Sequence, residues 1–283
     1  MFDAVPTQAA PPALAGAQRA SGALNLAFSL RPDGNTIPRT LRQEGALKVR
    51  LPTVHEGPAQ AIVLNTAGGL TGGDRLELAV ALEPGAALCI SGQACEKLYK
   101  AADGSAVVSS HLTVDAGASL EWLMQPAIIF DRSSLSRTLT ADVANDGRLL
   151  AVEALVFGRT AMAEQVRAGC VAETWRVRRD GKLVYADALR LDGDMQSTLE
   201  RPFVLGGHCA MASLLYVGPD APARCADLRA ALDALDGCTG AASAWDGLLS
   251  ARLVAPDGYT LTRGLVELLS RFRSAPLPRP WMI

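Results

Sequence analysis

From about residue 21 to 218 this chain alternates apolar and polar residues, and glycine-bearing pairs interrupt the alternation at near-regular intervals: Pro84-Gly85, Ala116-Gly117, Asp146-Gly147 and Asp180-Gly181. A period of two is the period of a strand, whose successive side chains point to opposite faces. The four glycines lie 32, 30 and 34 residues apart. Across the first interval the likeness goes beyond glycine: Val80-x-Leu82-x-x-Gly85-Ala86-x-Leu88, ending at Gln93, aligns with Leu112-x-Val114-x-x-Gly117-Ala118-x-Leu120, ending at Gln125. A strand-turn-strand unit repeated at this length predicts stacked β layers, in the manner of a solenoid or an elongated sandwich. The alternative is a chance recurrence of glycine turns in an ordinary all-β chain.

After Pro222 the pattern changes. Leu228, Ala231, Leu232 and Leu235 follow the spacing of an amphipathic helix, as do Leu265, Leu268, Leu269 and Phe272. Between them Asp246-Gly247 and Asp257-Gly258 read as hairpin-type turns. The tail from Pro276 to Ile283 is punctuated by proline, so it is expected to be extended and either exposed or docked on a partner. The expected fold is mainly β, an elongated β-solenoid or β-helix-like stack with about two α-helices near the C-terminus. Residues 1–20, rich in Ala and Pro, are expected to form a mobile arm. Residues 21–283 then form one domain, with the helices in its part from about 222 to 275.

Composition excludes several function classes. The formal charge is −2, with 27 Lys and Arg against 29 Asp and Glu and no basic stripe, so nucleic acid is not an expected partner. No apolar run reaches the roughly 18–20 residues of a membrane span. The first residues lack the basic and apolar regions of a secretory signal, which points to the cytoplasm. The six cysteines form no Cys-x-x-Cys pair, as expected of small reduced core residues. A hydrophobic fraction of 49% is high, and excess apolar surface is expected to be covered by other proteins.

The stretch Asn65-Thr66-Ala67-Gly68-Gly69-Leu70-Thr71-Gly72-Gly73-Asp74 resembles a nucleotide loop but lacks its chemistry. A phosphate loop needs Lys and a following helix, whereas here Asp74 repels anions and the alternating Leu76, Leu78, Val80 and Leu82 follow. Its glycines are expected to supply positive φ and close backbone approach at a strand entry. No nucleophilic triad is visible around His55, His111 or His208. His208-Cys209 offers soft metal donors, although neighbours in a strand point to opposite faces. Carboxylates on apolar faces are more informative. Glu153 shares a face with Leu149, Leu155 and Phe157, and the other face of that strand is apolar too. Asp187 shares one with Tyr185 and Leu189, and Asp74 has the parity of Leu76 and Leu78. A buried carboxylate needs a cationic partner, a raised pKa, a bound cation or a water-filled passage. Arg159, Arg190 and Arg201 are the candidate ion-pair partners.

Several motifs occur together in order: Gly45-Ala46-Leu47-Lys48-Val49-Arg50-Leu51-Pro52, the segment Asn65 to Asp74, and Gln93-Ala94-Cys95-Glu96-Lys97-Leu98-Tyr99-Lys100. Leu120-Glu121-Trp122-Leu123 with Gln125 and Phe130, Phe157-Gly158-Arg159 with Glu164, and Trp175-Arg176-Val177 leading to Asp180-Gly181-Lys182 follow. This set resembles the urease accessory protein UreD family, called UreH in some organisms. The resemblance implies a non-enzymatic factor for assembly of the urease nickel centre, acting on apo-urease with UreF and, through UreF, the GTPase UreG. It also implies a mostly β fold, no tightly bound cofactor, transient Ni2+, and room for a dimer of the accessory complex. A water-filled nickel passage is implied as well, whose acidic positions match Asp74, Glu153 and Asp187, with Glu96 at a position that is not always acidic. Two departures stand out: Pro278-Arg279-Pro280-Trp281 replaces a frequent Pro-Arg-Ile-Trp, and Leu51-Pro52 replaces a frequent Arg-Pro-Phe. The other reading is a structural β-solenoid interaction protein with no metal role, its acids serving only ion pairs.

Overall fold

The chain coils between two facing sheets, laying one strand in each per turn. In the computed structural model, which describes residues 19–159, 162 and 164–282, β1 (Ser21–Leu30), β5 (Arg75–Leu82), β8 (Ala106–Val114), β11 (Ser134–Val143) and β13 (Ala168–Arg179) run parallel in the first sheet. In the second, β4 (Ala59–Asn65), β6 (Ala87–Gly92), β9 (Ser119–Leu123) and β12 (Arg148–Phe157) do the same. This is a β-solenoid of about four turns. The register carries the sequence repeat: Arg75 stands opposite Val107 and Ala87 opposite Ser119, both 32 positions apart, like Gly85 and Gly117. The two corners stack directly, with Gly85 N–H donating to Ala116 O at 2.9 Å. Most of the expected arm over residues 1–20 lies outside the described residues.

Antiparallel strands end the coil on both sides. β2 (Thr36–Gly45) flanks β1, and β3 (Leu47–Arg50) flanks β4. At the other end β14 (Lys182–Asp194) folds back on β13. The fourth glycine pair is therefore not a coil corner. Asp180 and Gly181 have φ of 46° and 76°, the paired positive values of a tight hairpin turn, and they reverse the chain. After the short α1 (Met195–Leu199), β15 (Ala210–Val217), β17 (Leu248–Ala255) and β16 (Thr239–Trp245) extend the second sheet in antiparallel order. The Asp246-Gly247 turn joins β16 to β17, as expected. Two short strands, β7 (Glu96–Leu98) and β10 (Ala127–Ile129), pair in parallel beside β12.

One apolar layer fills the space between the sheets, and a second covers the outer face of the second sheet. The first holds Leu26, Leu78, Leu112 and Leu139 against Leu88, Leu120 and Leu155; the second holds Val152, Leu214 and Leu253 under the helices. β12 lies between both layers and is buried from Leu149 to Phe157, which is why neither of its faces reads as polar. The helices are α2 (Ala221–Asp233) and α3 (Gly258–Phe272), close to their expected places. Asp257-Gly258 is a helix start and not a hairpin turn: the Asp257 carboxylate accepts from Thr260 N–H at 2.8 Å and caps α3. The proline-rich tail packs on its own chain. Trp281 is buried and its indole donates to Ser91 Oγ at 3.1 Å and Leu123 O at 3.2 Å. The Arg273–Glu121 ion pair at 2.5 Å fixes the start of this segment. No helix among the described residues is long and apolar enough to cross a membrane.

Candidate functional site

A cavity of about 310 Å³ lies between the sheets, reaching from the exposed segment Gln93–Cys95 to the buried Glu153. Its outer part is built by the glycine-rich segment. Gly68, Gly69 and Gly73 have φ of 78°, 147° and 89°, as expected for these glycines. Gly72 is needed for close approach instead, since a Cβ there would lie 2.2 Å from Asp103 O. The folded loop is stitched to β7: Leu70 N–H donates to Lys97 O, and Tyr99 N–H to Leu70 O, both at 2.7 Å. Glu96, the first residue of β7, is thereby placed on the cavity wall.

The Asn65 side chain donates to both Glu96 oxygens, at 3.1 and 3.0 Å. Burial outweighs these bonds and raises the Glu96 pKa above the ordinary carboxylate value, with the nearby Asp74 charge adding to the rise. At the inner end, Glu153 projects from β12 toward the first sheet. It accepts from Trp122 Nε1 at 3.3 Å and Trp175 Nε1 at 3.1 Å, and pairs with Arg137 Nε at 3.2 Å. Arg137 also pairs with Glu173, its cross-strand neighbour on β13. Burial raises the Glu173 pKa against the opposing pull of Arg137. Burial likewise works against the Arg137 charge, but the two carboxylates outweigh it and the guanidinium pKa rises. The wall between the two ends includes Gln125, whose Nε2 is buried without a hydrogen-bond partner in the chain. Most of the remaining wall is apolar, with Leu47, Leu76, Leu78, Met124 and Leu135 among its residues.

The structure thus brings two of the sequence candidates, Glu96 and Glu153, into one cavity and leaves the others beside it. Asp74 is buried but does not line the cavity, and its carboxylate ties the glycine loop to the chain start by accepting from Thr71 N–H at 2.7 Å and Ala20 N–H at 2.8 Å. Asp187 sits at the open edge between the sheets, paired with Arg252 at 2.5 Å. None of the candidate arginines serves these acids: Arg159 pairs with Glu164 and Arg190 with Asp192, while Arg137 and Arg252 hold Glu153 and Asp187.

His208 and Cys209 line a separate cavity of about 330 Å³ with Glu164 and Glu200. His208 Nδ1–H donates to Leu205 O at 2.7 Å. Among the described residues no three His, Cys, Asp or Glu side chains converge as a metal-holding group. Face parity marks two further charges besides Glu153, the buried Arg137 and the nearly buried Glu173. Leu135-x-Arg137-x-Leu139 and Val171-x-Glu173-x-Trp175 show the same charge on an apolar face.

A cavity with a carboxylate near its opening, a second at its inner end and amides between suits a hydrated divalent cation, because carboxylate, carbonyl and water are oxygen donors. The family model for the UreD urease accessory protein matches residues 20–282. Similar proteins include the urease accessory protein UreD of Rhizobium leguminosarum bv. viciae, 45% identical over 265 residues that span 93% of this chain and 96% of that one. The urease accessory protein UreD of Azorhizobium caulinodans is 42% identical over 267 residues, covering 94% and 97%. That of Agrobacterium fabrum is 42% identical over 250 residues, covering 88% and 87%.

Proposed function

Since this chain belongs to the UreD family of urease accessory proteins, we propose that it serves urease maturation by passing nickel ions through the cavity between its sheets. The family's members are non-enzymatic chaperones, and nickel is cargo here, not a resident cofactor. The observation that carries the proposal is the continuity of the cavity from Gln93–Cys95 at the surface to Glu153 in the interior, with Glu96 on its wall. Asp74 acts on the outer part through its charge on Glu96, and Asp187 on the inner part through its charge on Glu173. The ion is handed toward apo-urease in a complex with UreF, which brings UreG. Six unpaired cysteines suit work in the cytoplasm, where thiols stay reduced.

The test uses Glu96→Gln and Glu153→Gln in the co-expressed accessory complex, with nickel per urease measured by mass spectrometry. The expected result is a loss of about tenfold or more with the complex still assembled, each variant removing one full charge from a partly dry site. Unchanged nickel in both would leave the second reading, an interaction scaffold with structural ion pairs. The Glu153–Arg137 and Asp187–Arg252 pairs are the observation that favours it.

A further inference from the structure

The inner wall of the cavity bears the same sign of charge as the ion it is proposed to pass. Arg137 lines the cavity and is 9% exposed, and it lies between Glu153, also on the cavity wall, and Glu173, which is not. The two carboxylates hold it differently. Arg137 and Glu173 are direct neighbours in the β11–β13 ladder, so their adjacency is set by the backbone. Glu153 comes from the facing sheet and meets Arg137 only through the side chain.

A locked guanidinium–carboxylate pair has two parallel, aligned hydrogen bonds. Here Arg137 meets Glu153 through Nε alone and turns Nη2 to Glu173, so its hold on Glu153 is a single contact and not a fork. Glu153 has two other donors, the indoles of Trp122 and Trp175, and both are fixed in the core. Of its three partners only the guanidinium has a second carboxylate to retreat to. Two acids against one base also leave the cluster one positive charge short, and no other Arg or Lys among the described residues contacts Glu153 or Glu173. Gln125 also lines this cavity, and its side-chain Nε2 is buried without a hydrogen-bond partner in the chain.

We propose that Arg137 is a tethered counter-cation that gates the inner end of the cavity. A divalent cation reaching Glu153 displaces the guanidinium, which withdraws onto Glu173 and returns when the ion leaves. The gate rests on the passage reading above and explains how that passage avoids becoming a sink. An ion must compete with a resident positive charge, so its stay at Glu153 is short, and transit needs sites weak enough to leave.

The test is Ni2+ binding by calorimetry and equilibrium dialysis on the full chain in its accessory complex. Arg137→Gln leaves two buried acids unpaired and strains the fold, so the deciding variant is the double change Arg137→Gln with Glu173→Gln. It keeps the net charge of the wild-type cluster but removes the guanidinium. Ni2+ is expected to bind this variant at least about tenfold tighter, because Glu153 no longer has a competing charge at contact distance, and to be released more slowly to urease. Arg137→Lys keeps a competing charge and is expected to stay within about twofold of wild type. Binding equal to or weaker than wild type in the double variant, with a native circular dichroism spectrum, overturns the gate. That failure is distinguishable from failure of the passage itself, which would appear as unchanged nickel delivery in Glu96→Gln and Glu153→Gln.

Discussion

Side-chain parity in a strand tells which residues face the core, and it says nothing about what waits there. Glu153 was legible because both faces of β12 are apolar, and it is buried at 4% exposure. Its partners were not legible, because Arg137, Trp122 and Trp175 approach it from three other strands. Asp74 shows the same limit: it continues the buried alternation of Leu76 and Leu78, as its parity indicates, but its partners are the N–H groups of Thr71 and Ala20, which parity does not reveal. Asp131 is a comparable loop carboxylate that carries a pH dependence. Burial acts to raise its pKa, but the N–H groups of Ala168 and Arg167 outweigh burial and hold it below the ordinary 3.8. A depressed carboxylate contributes stability that is present above the unfolded value and is lost as pH falls through the folded one. Asp131→Asn is therefore expected to cost about 1 kcal/mol at neutral pH. Urea denaturation should show the difference from wild type shrinking below pH 3.8, and a constant difference would count against this role.

At the scale of elements, repeat and periodicity located the strands and both long helices, while the turns proved harder. An Asp-Gly pair serves as a tight hairpin turn at Asp180-Gly181 and Asp246-Gly247, yet opens a helix at Asp257-Gly258. The difference lies in the following residues: strand alternation follows the first two, and the helical spacing of Leu261, Leu265 and Leu268 follows the third. The prolines of the tail predict an extended segment, either exposed or docked on a partner. It packs on its own second sheet because Leu277 and Trp281 complete the outer apolar layer. Trp281→Ala removes that contact and leaves Ser91 Oγ without its indole partner. The expected loss is about 3–5 kcal/mol, read as a lower midpoint in thermal unfolding, with Ni2+ binding unchanged at saturating stability.

For the whole molecule, two open sheets leave four edge strands, β2 and β14 in the first and β3 and β16 in the second, that must not recruit another chain. In the first sheet one edge is β2, where Pro38 lies at a bulge opposite Phe28 and Arg39 and Arg42 are exposed. Proline, bulges and charge are the devices that blunt an edge strand. Replacing Pro38, Arg39 and Arg42 together by Val is expected to turn the chain into a concentration-dependent oligomer by light scattering, and a variant that stays at wild-type size would refute this. At the far end the sheets are clamped to each other by Asp187–Arg252, by Arg179 donating to Asp246 O and Gly247 O, and by Tyr185 stacked on Trp245. This clamp joins sequence-distant elements, so no local pattern announces it.

The docked tail also bears on how the protein is made. Each coil meets its neighbour after some thirty further residues have been synthesised, so the stack can grow in step with translation. Trp281 breaks that order: its partners Ser91 and Leu123 belong to strands laid down 190 and 158 residues earlier. A nascent chain that had not yet reached Trp281 would hold a complete coil with part of its outer apolar face bare, and the segment from Leu277 to Trp281 thereby acts as a seal laid over strands already in place.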